Sequence, residues 1–174
     1  MSVILVTPLS QVEPTIRRYK PSRLMTLLSP EHMIDTPAGF PAAQHLRLGL
    51  NDVAATDIAT DPPNTSHVEN LIRFAREWDA KSPMLIHCWA GVSRSMAAAY
   101  IVLCDRFGPF REKEIAKAIR LRAPHAYPNP LMVELADKAL GRNGRMVMGA
   151  ESIGRGTIVA EGELVEFPLS AEDL

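Results

Sequence analysis

The stretch Leu85-Ile86-His87-Cys88-Trp89-Ala90-Gly91-Val92-Ser93-Arg94-Ser95 decides how this chain is read. A short apolar run delivers a cysteine, a glycine-containing turn follows, and an arginine then opens a long apolar helix pattern. Turn amides can converge on one point, and the first turn of the helix adds its own free N–H groups and the positive end of its dipole. The product is an anion site suited to phosphate. Gly91 lets the backbone bend and come close. The Arg94 guanidinium can take two phosphate oxygens in a fork, which lysine cannot do. The same field acts on Cys88: beside a helix N-terminus and a cation the expectation is a thiolate at neutral pH.

Reading outward, Pro83–His87 is expected as a buried strand and Ser93–Phe107 as a helix. Its middle, Met96–Cys104, is apolar on every side and belongs at the domain centre. Upstream, Val3–Val6 and Leu24–Leu28 read as strands. His45–Leu50 alternates, with Leu46, Leu48 and Leu50 on one face. Ser10 and Glu13 have capping-box spacing ahead of Val12, Ile16 and Tyr19. Asn51–Thr65 is rich in Asp, Pro, Asn and Thr and predicts a long loop, a common place for function. A helix is expected from Ser66, with Glu69 completing a second capping box and Val68, Leu71, Ile72, Ala75 and Trp78 as its apolar stripe. Downstream, a helix is expected over Arg111–Arg122, with Ile115, Ala118 and Ile119 inward. Asn129 and Pro130 read as N-cap and first residue of the next helix, and Gly141 as its stop. Met146–Ile153 is expected as a short helix and Thr157–Phe167 as extended.

This order predicts an α/β fold, a central short mixed sheet flanked by helices. The 174 residues suit one domain, 1–174, with a core of about 1–142 and a C-terminal extension 143–174 packed on it. Charge sums to -1, so no global field draws the chain to nucleic acid or an anionic membrane. Two cysteines make no disulfide framework, MSVILVTPLS lacks the features of a signal peptide, and no apolar run is long enough to span a bilayer. A soluble, cytoplasmic protein is expected. His32, His45, His67 and His125 show no ligand spacing, so neither metal nor cofactor is called for. Cys104 lies about ten residues into the helix, roughly 15 Å from Cys88, and reads as core, as does Met96. Trp89 either rims the pocket or packs beside it. Arg17, Arg18, Lys20 and Arg23 read as a solvated basic face.

His87-Cys-Trp-Ala-Gly-Val-Ser-Arg-Ser95 resembles the signature loop of the protein tyrosine phosphatase superfamily, in the Ala-Gly-x-Ser-Arg-Ser form of dual-specificity phosphatases. Arg122-Ala-Pro-His-Ala-Tyr-Pro-Asn129 is similar to that family's Arg…Pro-Asn segment, and the likeness reaches upstream to about Gln44. The resemblance implies a fold of that type and hydrolysis of phosphotyrosine in a protein or peptide, with phosphoserine and phosphothreonine open. Trp89, Ala90, Gly91, Val92, Ser93 and Arg94 would hold the phosphate, and Cys88 would form a phosphocysteine. Ser95 would donate to the sulfur as it leaves, while His87 and Asn129 would support the loop. It also implies an acid, an Asp on a loop before the cysteine: Asp52, whose Asn51-Asp52 placement fits, or Asp57 or Asp61. The Trp-Pro-Asp triplet of tyrosine-specific members is absent. Two other readings stay open: a phosphatase for a non-protein phosphomonoester, and a phosphopeptide-binding module without turnover.

Overall fold

The computed structural model describes residues 3–170. Among these, five strands form one sheet in the order β3-β2-β4-β1-β5: β1 Val3–Pro8, β2 Arg23–Leu28, β3 His45–Gly49, β4 Met84–Cys88 and β5 Val165–Pro168. β4 runs parallel to both β1 and β2, β3 is parallel to β2, and β5 is antiparallel to β1. The mixed α/β architecture is the one expected. β1, β2 and β4 are buried on both faces, which is why they read as apolar runs and not as alternating ones.

The helices are α1 Val12–Tyr19, α2 Thr65–Arg76, α3 Arg94–Phe107, α4 Glu112–Arg122, α5 Pro130–Ala139 and α6 Arg145–Ser152. Every residue of α3 from Arg94 to Cys104 is buried. α3 lies in the larger apolar cluster, with Ile4, Val6, Met25, Leu27, Ile86 and Cys88 from one face of the sheet. Leu5, Leu24 and Leu85, on the other face, pack with Val12 and Ile16 of α1. Because a strand alternates sides, Cys88 falls on the α3 face and His87 on the opposite one.

Several local expectations are corrected. Ser10 does not cap α1: a 3-10 turn, Leu9–Gln11, precedes the helix, its N-cap is Gln11, and the Ser10 hydroxyl donates to the distant Glu161 carboxylate. Nor does Ser66 cap α2. Asn64 does, accepting from the His67 amide at 3.1 Å while the His67 ring accepts from the Asn64 amide, a reciprocal box two residues earlier than the Ser66–Glu69 pair. Asn64 has the extended backbone that an N-cap requires, so the helix starts at Thr65 and Ser66 falls inside its first turn. Thr157–Phe167 is not extended throughout; only Val165–Pro168 pairs, and the residues before it wrap as a loop. The basic run divides: Arg23 lies over the Phe74 ring and donates to the Glu77 carbonyl, whereas Arg17 and Arg18 are exposed. Asn129 caps α5 by accepting from the Met132 amide at 3.0 Å, with Pro130 as first residue, as expected.

Candidate active site

β4 ends at Cys88, and six residues later α3 begins at Arg94. Between them the backbone carbonyls are held from outside the loop. Leu9 donates its amide to the Trp89 carbonyl at 3.0 Å, Gly162 to Ala90 at 2.8 Å and Tyr127 to Val92 at 2.9 Å. The Ser93 carbonyl takes the amides of Asn129 and Ala97, and the Cys88 carbonyl faces His87 Nδ1 at 3.3 Å. The Gly91 carbonyl faces the His125 ring; burial lowers the His125 pKa, against the opposing pulls of Glu163 and this carbonyl. With carbonyls turned outward, the amides of the turn are left to face the concave side, where an anion would sit.

Gly91 holds φ at +71°, and a Cβ there would lie 2.8 Å from the Pro8 nitrogen. Glycine is therefore required twice, by backbone conformation and by the close passage of β1. Cys88 is 2% exposed, at the floor, and its Sγ lies 3.1 Å from Ser95 Oγ. Arg94 is buried; one terminal nitrogen donates to the Leu50 carbonyl at 2.8 Å, while its Nε has no hydrogen-bond partner and stands 3.9 Å from Asp52 Oδ2. Trp89 is 54% exposed and tilts against His32, ring centroids 5.3 Å apart. It is a rim residue.

Among the three acidic candidates, Asp52 is the one brought to the loop. Its Oδ1 accepts from Ser93 Oγ at 2.7 Å and from Asn129 Nδ2 at 2.9 Å. Asn129 also donates to the Val53 carbonyl at 3.0 Å, so a single amide fastens the acid-bearing segment to α5. Asp57 sits exposed in the 3-10 turn Thr56–Ile58. Asp61 is exposed too, and its backbone is bonded to Asn51: it donates to Asn51 Oδ1 and accepts from the Asn51 amide.

His87 is fully buried, and burial lowers its pKa to about 4; the bond to the Cys88 carbonyl opposes this, and His45 and Arg94 add to it. Cys104 is buried in the core, where burial pushes its thiol up and away from reactivity. No group of three or more metal-ligating side chains occurs among the described residues. None of their helices is long and apolar enough to cross a membrane.

Solved structures with this architecture include the PTP-2 phosphatase of Cydia pomonella, at a TM-score of 0.57 and 18% identity over 78% of this chain and 84% of that one. PTPMT1 in complex with PI(5)P matches at 0.57 and 17%, over 86% and 91% of the two chains. Human DUSP28 matches at 0.54 and 21%, over 79% and 91%. The chain has the dual-specificity phosphatase fold. No family model and no curated protein sequence matches it.

The structure brings together Cys88, Arg94, Ser95, Asp52, His87 and Asn129, all of them named from sequence. Sequence reasoning missed the residues that hold the loop from outside. Leu9, Tyr127 and Gly162 act through backbone amides, which any residue but proline supplies. His125 lies in the Arg122–Asn129 segment, and that position is its only signal.

Proposed function

We propose that the chain is a cysteine-dependent phosphatase working through a phosphocysteine, with phosphotyrosine in proteins or peptides as its substrate. The observation that carries this reading is the loop itself: outward-held carbonyls above a recessed Cys88 whose sulfur touches Ser95. Loop amides and Arg94 bind the three equatorial oxygens of the phosphoryl group and stabilise the charge of the transition state. Cys88 Sγ attacks phosphorus in line; the S–P bond forms as the P–O bond to the leaving group breaks. Asp52 supplies the proton that the leaving oxygen needs.

In the second step Asp52, now a carboxylate, takes a proton from water. The water oxygen attacks phosphorus, the S–P bond breaks, and Ser95 donates a hydrogen bond to the departing sulfur. Inorganic phosphate leaves and Asp52 is again protonated. In this structure Asp52 lies beside Arg94, and incoming phosphate would replace it as the partner of the guanidinium.

Hydrolysis of p-nitrophenyl phosphate by wild type and Cys88→Ser tests the enzyme. Activity that vanishes in Cys88→Ser supports it, and phosphopeptide binding with no turnover in wild type would instead make the chain a binding module. A panel of phosphotyrosine, phosphothreonine and phosphoinositide substrates then tests the substrate class. Preference for the lipid would replace phosphotyrosine in this reading.

A further inference from the structure

His87 is not the end of the hydrogen-bond path that starts at Cys88. Its Nε2 lies 2.7 Å from Thr26 Oγ1, the same hydroxyl lies 2.7 Å from His45 Nε2, and His45 Nδ1 lies 2.9 Å from Thr36 Oγ1. These groups occupy one face of the sheet, opposite Cys88. Thr26 is paired in register with His87, and His45 with Leu24, two residues earlier on the same strand as Thr26.

The direction of every bond follows from the chemistry of its ends. A carbonyl only accepts, so His87 Nδ1 carries the proton that points at the Cys88 oxygen. His87 and His45 both have pKa values lowered to about 4, chiefly by burial, and are neutral at neutral pH. A neutral imidazole has one donor and one acceptor. His87 Nε2 therefore accepts, and the Thr26 hydroxyl proton goes to it. With that proton spent, Thr26 Oγ1 must accept from His45 Nε2–H. His45 Nδ1 then accepts from the Thr36 hydroxyl. The four bonds run one way, from Thr36 through His45, Thr26 and His87 to the Cys88 carbonyl, with each donor matched to an acceptor.

We propose that Thr26, His45 and Thr36 are positioning residues for Cys88, their one-way chain fixing the His87 tautomer and thereby the orientation of the first carbonyl of the loop. The other flank of His87 is different. Thr7 of β1 is also paired in register with His87 and fully buried, yet its hydroxyl has no hydrogen-bond partner. Two threonines thus flank one histidine, and only the one on β2 is wired to it. Losing the Thr26 hydroxyl leaves the buried His87 Nε2 and the half-buried His45 Nε2 without this partner, whereas losing the Thr7 hydroxyl removes an unpaired polar atom.

The same substitution at these two sites is the test, with p-nitrophenyl phosphate as substrate. Thr26→Val is expected to lower kcat by about 10- to 100-fold with KM changed by less than about twofold, because a misplaced nucleophile costs the chemical step and not binding. Thr26→Ser, which restores the hydroxyl, is expected to recover most of the loss, and Thr7→Val to stay within about twofold of wild type. Ring nitrogen shifts of His87 in ¹⁵N NMR should show Nδ1 protonated and Nε2 accepting in wild type, and a moved Nε2 resonance in Thr26→Val. Should Thr26→Val not fold, His45→Phe at a half-buried site carries the same expectation, and His45→Gln, whose amide replaces the Nε2–H donor, the same rescue.

Equal kcat in Thr26→Val and Thr7→Val, or a wild-type His87 protonated on Nε2, overturns the proposal. The kinetic arm rests on Cys88 being the nucleophile; the tautomer measurement does not. A wild type without turnover would therefore sink the phosphatase reading, while the ¹⁵N shifts would still decide the chain.

Discussion

The cysteine loop, residues 88–94, and the acid-bearing connection, residues 50–64, meet at one site but are built on different principles. The loop is gripped from many sides: the 3-10 turn after β1, the segment after α4, the C-terminal segment and the His87 ring each supply a donor to one of its carbonyls. The connection is held unevenly. Leu28 and Arg94 bond Leu50, Ser93 and Asn129 hold Asp52 and Val53, and Asn51 and Asp61 clasp its two halves. Between them, residues 54–58 are exposed. The difference fits the two tasks that the proposed mechanism assigns to these regions. A phosphate cradle must be preorganised, since its amides act only if they already point at the charge. An acid must reach a leaving oxygen and then a water, so a segment that continues into an exposed stretch suits it.

This contrast can be broken most sharply at the acid. Asp52→Ala should reduce turnover of substrates with poor leaving groups by about 10²–10⁴-fold, some 3–5 kcal/mol in the barrier, and leave phosphopeptide binding intact. Asp57→Ala and Asp61→Ala should stay near wild type. If either of them shows the large loss instead, the connection delivers a different carboxylate from the one assigned. Steady-state kinetics on alkyl and aryl phosphates, with binding measured in the Cys88→Ser background, separates these outcomes.

On the loop side, Gly91→Ala tests how rigidly the cradle is held. A Cβ 2.8 Å from the Pro8 nitrogen, at a φ of +71°, cannot be relieved by a side-chain rotation. The expected cost is about 2–4 kcal/mol of stability, with activity lost even in the fraction that folds. Denaturant unfolding with the turnover assay reads both. Tolerance of Gly91→Ala would mean that β1 gives way and the loop is less fixed than its bonds imply.

Acid should also separate the two regions. The folded-state pKa of His87 is lowered from 6.5 to about 4, so the unfolded chain binds the proton more readily. Stability is then full above about pH 6.5 and falls as pH drops towards 4, by roughly 3 kcal/mol from this residue. Burial of His45 acts in the same direction. Denaturant midpoints measured from about pH 7.5 to about 4.5 should fall, and His87→Asn should flatten part of that slope. A slope unchanged by the substitution would place the loss elsewhere.

The smallest effect is expected at the clasp. Asn51→Ala removes the acceptor for the Asp61 amide on an exposed segment and should cost no more than about 1 kcal/mol. Faster amide exchange confined to residues 52–61 is the expected signature. Loss of protection in the 88–94 loop as well would show that the two regions are coupled more tightly than their bonds suggest.

Much of the fold was legible because burial leaves a periodic trace. The unbroken apolar character of Met96–Cys104 announced a central helix, and Leu24–Leu28 a buried strand. What failed were local boundaries, as at the start of α2, where the cap is Asn64 and not Ser66, two residues later. Backbone geometry at Asn64, not residue type, settled it. The site was legible where chemistry demands a residue type: a thiol, a guanidinium, a hydroxyl, a glycine with positive φ.

Sequence alone determined the loop cysteine, its arginine and the strand-to-helix turn between them, because these are contiguous and each needs a particular side chain. Tertiary structure decided which aspartate meets the loop and what holds the loop still. Asp52 is selected by Asn129 and Ser93, 77 and 41 positions away. The loop carbonyls are held by amides from Leu9, Tyr127 and Gly162, and the Cys88 carbonyl by His87, the last link of a chain through Thr26, His45 and Thr36. A backbone amide has no residue signature, and a shared hydroxyl has none until the strands are laid side by side; only the folded chain brings such groups within about 3 Å of one another.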